Sequence, residues 1–328
     1  MARIHRSRLL AIVTVASAVV ALTTTQSAGA AQSAAPHKAK AAHGDTTGHA
    51  RQARQEKLAF FDSRQAGAAK KTLRVRSDTQ LAHPAAAVTR LRQSLGVQGV
   101  VSIDPLTGTP RQVARLNGYL TGRSSAAPSR IALRYVRSHQ SLFRLDTSAL
   151  SALKLRQDYV DVSGTHHLSY QQMHAGIPVF GNGLKANVSR SGRIISIQGS
   201  PLASMSGLNA SPGISAAAAR AAALKNVQAK SRASSAPAQS GARQTAKFAG
   251  GDKASLVYFR TTSGTRLAWQ TQVSARSSEM YTSVVDATNG SVLYRKSLVN
   301  FDNSSVWENY PGAPRGGQQK NVNFNSRG

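Results

Sequence analysis

From residue 84 onward, apolar and polar positions follow two rhythms. Pro84 opens a stretch in which Val88, Leu91 and Leu95 recur along one stripe, with Gly96 behind them, which predicts a helix over 84–95. A β-rich run follows at 97–103, then turn chemistry in Asp104-Pro105-Leu106-Thr107-Gly108, then 111–116 as a returning strand. The helical period resumes over 128–140, where Ile131, Tyr135 and Leu142 share a face with Phe143 close by. That stripe needs a sheet to cover. Four runs predict one, 153–162, 166–174, 184–189 and 193–198, joined by turns at Ser163-Gly164, Ala175-Gly176 and Ser191-Gly192. After a Ser-, Gly- and Pro-containing joint at 199–213 the pattern repeats. An Ala-rich helix is predicted over 214–229, then strands over 255–261, 266–273, 281–286 and 291–295. The expected fold class is α+β: two small domains, 73–200 and 201–299, each a helix packed on an antiparallel sheet. Within the second, 230–252 is rich in Ser, Ala, Gly, Gln and Lys and reads as a mobile loop.

The start of the chain reads differently. Arg3, Arg6 and Arg8 precede an apolar run over 9–22, and Ala28-Gly29-Ala30 then supplies a small-residue cleavage site. Residues 1–30 are thus expected to be an export signal, cut around Ala28, Ala30 and Ala31, and the remainder to be secreted. The run is shorter than the roughly 20 residues a bilayer span needs, so no stable membrane span is expected. Residues 31–72 read as a disordered, flexible leader, and its His37, His43 and His49 have no neighbours that would fix a metal geometry.

Composition narrows the chemistry. The chain has no cysteine, which excludes disulfides, thiolate nucleophiles and Cys-bound metal. A zinc peptidase of the H-E-x-x-H type needs two His one helical turn apart with Glu as base, yet none of the nine His is followed by Glu. Only Glu56, Glu279 and Glu308 are present, and no G-x-S-x-G, G-x-x-x-x-G-K-[ST] or G-x-G-x-x-G occurs. A dispersed Ser, His, Asp set is not excluded by sequence. His166 and His167 fall on one predicted strand and should point to opposite faces, so they are not expected to share a metal. Charge is the unusual quantity, with 42 Lys and Arg against 13 Asp and Glu, a formal +29. An acidic partner or an anionic surface fits that balance. Specific nucleic-acid binding does not: the cations are scattered, aromatics are 5%, and no nucleic-acid fold signature appears.

The run 168–181, Leu-Ser-Tyr-Gln-Gln-Met-His-Ala-Gly-Ile-Pro-Val-Phe-Gly, resembles the fungalysin/thermolysin propeptide motif, with Gln172, Gly176, Ile177, Pro178, Val179 and Phe180 at its centre. Residues 184–188 and 192–199 continue that pattern of paired strands. Residues 267–273 and 284–293 resemble a PepSY domain through Trp269, Asp286 and Gly290, with Trp269 expected in the core and 286–290 as a hairpin turn. Residues 103–111 and 120–122 are similar to the pro-region upstream of that motif, and 306–312 resembles the start of a mature enzyme. The resemblance implies the pro-region of a secreted fungalysin-type zinc metallopeptidase, assisting the folding of its catalytic domain and inhibiting it, in cis or in trans. No cofactor is expected here, since zinc would belong to the catalytic domain. The pro/mature junction is expected between 298 and 307, at Asn300, Asp302, Asn303, Ser304 and Ser305, with 300–328 forming the junction and a stub of the peptidase domain. The chain then reads as a truncated precursor without catalytic chemistry of its own. The alternative is a free-standing secreted PepSY-type peptidase inhibitor or a module binding anionic polymer.

Overall fold

The computed structural model describes residues 54–65, 85–230, 239, 241–299, 303–307 and 319–323, the last two spans as backbone. The elements are α1 (54–59), β1 (Phe60–Asp62), α2 (Ala85–Leu95), β2 (Gly99–Ile103), β3 (Pro110–Arg115), α3 (Pro128–Ser138), α4 (Gln140–Phe143), α5 (Thr147–Ser151), β4 (Leu153–Val160), β5 (His166–His174), β6 (Ile177–Val188), β7 (Ile194–Gly199), α6 (Ala216–Asn226), β8 (Ala246–Lys247), β9 (Lys253–Thr261), β10 (Gly264–Arg276), β11 (Glu279–Asp286), β12 (Val292–Ser297), β13 (Asn303–Trp307) and β14 (Gln319–Asn323). No helix among the described residues is long and apolar enough to cross a membrane.

Helix positions follow from side-chain spacing. α3 carries Pro in its first turn, where the missing N–H costs nothing, and buries Ile131, Ala132, Tyr135 and Val136 on one face. α6 starts at Ser215, whose Oγ accepts from the Ala218 N–H at 3.2 Å. Its buried Ala216, Ala219 and Ala223 are small enough to let the helix lie close to the strands beneath.

The expected pair of separate sheets is instead one 12-stranded mixed sheet, in the order β1-β12-β11-β10-β9-β6-β7-β3-β2, with β4 added through β5 to β6, and β8 on β9. β6 causes the merger. It begins at Ile177, seven residues before the run expected from alternation, because Ile177, Pro178 and Val179 are all buried rather than alternating. Such continuous burial hides a strand from a period-2 reading. Its first residues meet β9 in a parallel bridge, Val179 to Tyr258, while Leu184–Val188 pair antiparallel with β7.

Three apolar clusters result. One packs α2–α5 on β2–β7 and takes Leu184, Ala186 and Val188 from β6. The second packs α6 on β9–β12 and takes Ile177 and Val179. The third, Val257, Phe259, Ala268 and Val284, is flanked by Phe180.

Two further expectations change. Part of the supposed leader is ordered: β1 pairs with β12, Phe60 opposite Lys296 and Asp62 opposite Tyr294, and Leu58 joins the second core. The apolar cluster Leu58-Ala59-Phe60-Phe61 is too short to show a period but long enough to cover a sheet edge. Residues 31–53 and 66–72 lie outside the described residues. In the span 230–252, Ala246 and Lys247 pair with β9, Phe248 is buried, and Asp252 forms a buried ion pair with Arg220 at 2.7 Å. Two buried apolar side chains hidden in a polar composition tie that part down.

Candidate functional site

The motif residues cluster where β5 turns into β6. Ala175 (φ 48°) and Gly176 (φ 77°) form a two-residue loop with both residues left-handed, the geometry that matches strand twist in a tight hairpin. A Cβ on Gly176 would stand 2.6 Å from the Ala242 Cβ, so close approach as well as φ requires glycine. Gln172 is fully buried. Its Nε2 donates to the Leu202 carbonyl at 2.8 Å and its Oε1 accepts from the Leu202 N–H at 2.7 Å, so one side chain pairs with the chain thirty residues on as a strand would. Gln171 Nε2 donates to the Val179 carbonyl at 2.7 Å, serving an acceptor beside the register shift between Gln171 and Met173. Sequence reasoning missed Gln171 and also Asn182, whose Nδ2 donates to the Ser200 carbonyl at 2.6 Å. Polar residues at strand positions give no period to find them by. Ile177, Pro178 and Val179 are buried, and Phe180 rests against Phe259 and Tyr294, with ring centroids 5.9 and 5.2 Å away. The motif is a joint: two glutamines, a glycine turn and four apolar residues lock one strand into both halves of the sheet.

The second set of predicted residues fixes the other half. Trp269 is fully buried on β10 and donates Nε1–H to the Ile214 carbonyl at 3.0 Å, tying the sheet to the entrance of α6. Asp286 is buried and accepts from Arg266 Nη1 and from the Thr288 N–H, both at 2.8 Å, while the Gly290 N–H closes the turn on the Asp286 carbonyl at 3.0 Å. Gly290 sits at φ 78°.

The histidine pair separates as strand geometry requires. His166 Nδ1 meets Asp158 Oδ1 at 2.9 Å, whereas His167 spans Asp161 Oδ2 at 3.0 Å and Asn187 Oδ1 at 2.8 Å. Two oxygen acceptors, one on each ring nitrogen, favour the imidazolium; the Asp161 bond foremost, then Asn187, hold the His167 pKa above its usual value. Asp161 is held well below the carboxylate range by the Ser163 hydroxyl first, then by His167 and the Thr165 N–H. The types Ser, His and Asp do meet here. The carboxylate stands between the other two, however, so Ser163 donates to Asp161 rather than to an imidazole, and no hydroxyl is activated. The arrangement locks the β4–β5 turn. Among the described residues, no three of His, Asp and Glu are placed to hold a metal.

At the leader contact, Glu279 is buried and paired with Arg54, Gln55 and Arg276. Burial alone would push its carboxyl up, but those donors outweigh it and the pKa lies below the ordinary value. Arg295 donates Nε–H to the Leu58 carbonyl at 2.8 Å. Of the expected junction, Asn303, Ser304 and Ser305 lie in β13, which pairs antiparallel with β14. Asn300 and Asp302, and the cleavage residues Ala28, Ala30 and Ala31, lie outside the described residues.

Residues 151–201 match the fungalysin/thermolysin propeptide motif, a segment that runs from the end of α5 through the β4–β7 meander just described. No curated protein matches the chain. Four solved chains match. One is the Bacillus megaterium YpeB C-terminal domain, at 11% identity and a TM-score of 0.30, covering 66% of this chain and 97% of that domain, a likeness too slight to carry a fold or a role.

Proposed function

We propose that this chain acts as the pro-region of a secreted zinc metallopeptidase of the fungalysin kind, binding a catalytic domain to assist its folding and to hold it inactive. The observation that carries the reading is the propeptide motif over 151–201. The chemistry is binding. A sheet whose halves are locked by buried side chains loses little further conformational entropy on docking, so more of its contact energy is left for the partner. Covalent linkage to a catalytic domain would add a high effective concentration. Zinc belongs to that domain, and the positive charge that remains once residues 1–30 are cut away, 39 Lys and Arg against 13 Asp and Glu, would steer association with an acidic face and weaken it with salt. The PepSY-like half, with Trp269 and Asp286, extends the same sheet, and the junction falls between 298 and 307.

The test is refolding. The catalytic domain of a fungalysin-type zinc endopeptidase, denatured in guanidinium, is diluted with and without the full chain, and native enzyme is assayed with the chain added. Greater recovery of activity on refolding, together with inhibition of the native enzyme in trans, is the expected result. A chain that alters neither would overturn the reading.

A further inference from the structure

One face of α3 makes no hydrogen bond or ion pair among the described residues. Arg130, Arg134 and Arg137 fall within about 60° of arc on the side of the helix opposite its buried residues, and all three are exposed. The helical rise sets them about 6 and 4.5 Å apart along the axis. Their surroundings carry little opposing charge. Residues 85–145 contain nine Arg, no Lys and one acid, Asp104. Over 85–200 the acids number four, and each is engaged elsewhere. Asp104 accepts the Leu106 N–H and lies 3.7 Å from Arg111; Asp146 caps α5 through the Ala149 N–H; Asp158 and Asp161 hold His166 and His167. No carboxylate among the described residues pairs with the stripe.

We infer that the α3 arginine stripe is a binding surface for a flexible linear polyanion, a polymer bearing phosphate or carboxylate groups at regular intervals. Three features of the surface select this class. Guanidinium forks bind phosphate and carboxylate oxygens two at a time, and they keep their charge at every physiological pH. A row of cations on a convex helix matches a row of anions on a chain that can follow it. The stripe also lacks what a protein interface puts at its centre: none of the exposed large apolar side chains lies on α3. This inference does not depend on the pro-region reading.

The full chain is titrated with fluorescently labelled inorganic polyphosphate and, separately, with poly-glutamate, over a range of salt, beside two charge-matched variants. One carries Arg130→Gln, Arg134→Gln and Arg137→Gln. The other carries Lys154→Gln, Lys185→Gln and Lys253→Gln, three exposed lysines on strands. Circular dichroism confirms that each is folded. The stripe variant is expected to bind at least roughly tenfold more weakly, with the slope of log K against log salt shallower by about 2, while the lysine variant stays close to the parent. The polymer that shows this dependence identifies the anion. Equal losses in both variants would mean that net charge alone binds, and would overturn the proposal. So would no binding to either polymer, or stripe-dependent binding seen only with a folded acidic catalytic domain.

Discussion

Gln172 shows how much one polar side chain can hold together. Replacing it with Ala leaves the buried Leu202 N–H and carbonyl without their partners, and unpaired buried groups cost more than the bonds themselves contribute. We expect Gln172→Ala to lose roughly 2–4 kcal/mol in urea denaturation. His167 gives a different signature. Its raised pKa means that its contribution is fully present below its ordinary value of 6.5 and disappears as pH rises through the folded value. Asp161, with a lowered pKa, contributes above its ordinary 3.8 and loses that contribution as pH falls. Both are at full strength between those limits. His167→Ala should therefore lower the Tm slightly at pH 5.5 and hardly at all at pH 9, since exposed pairs are well screened by solvent. An equal loss at both values would mean that the ring packing against Tyr159, centroids 5.7 Å apart, matters more than the charge.

Among the elements, α1 and β1 depart furthest from the flexible leader expected over 31–72. Leu58 is 5% exposed and packs in the core beneath α6. Leu58→Ala should cost about 2–4 kcal/mol, an effect no flexible leader would produce, read by chemical denaturation. Deleting 54–65 goes further, because it uncovers the edge of β12 and removes Arg54 and Gln55 from the buried Glu279. An open strand edge pairs readily with another, so the truncated chain should self-associate more than the parent in sedimentation at equal concentration.

At the scale of the whole molecule, β6 gives Ile177 and Val179 to one core and Leu184, Ala186 and Val188 to another. A strand shared in this way should make both halves unfold together. In a Trp307→Phe background, Trp269 is the remaining tryptophan and reports on the second core alone. Leu184→Ala alters the first core, yet it should lower the midpoint seen by Trp269 in one transition, with a loss of about 2–4 kcal/mol. Two separate transitions, with the tryptophan signal unmoved, would mean that the halves are independent.

Local pattern was enough to foretell most of the regular elements, since repeating contacts with one buried face leave a repeating pattern: Val88, Leu91 and Leu95 on α2, and the alternation that places Trp269 inward on β10. It also determined the turns at Gly176 and Gly290, because the left-handed region is open to few residues, and it marked out the propeptide motif as a unit. What that motif does in the fold was decided only by tertiary structure. Gln172 finds Leu202 thirty residues away, Val179 reaches Tyr258 across the joint, and Leu58 and Phe248 leave polar segments to enter a core. Each is a contact between residues far apart in the chain with no period to announce it. A local pattern records which face of an element is buried, but not which distant segment buries it.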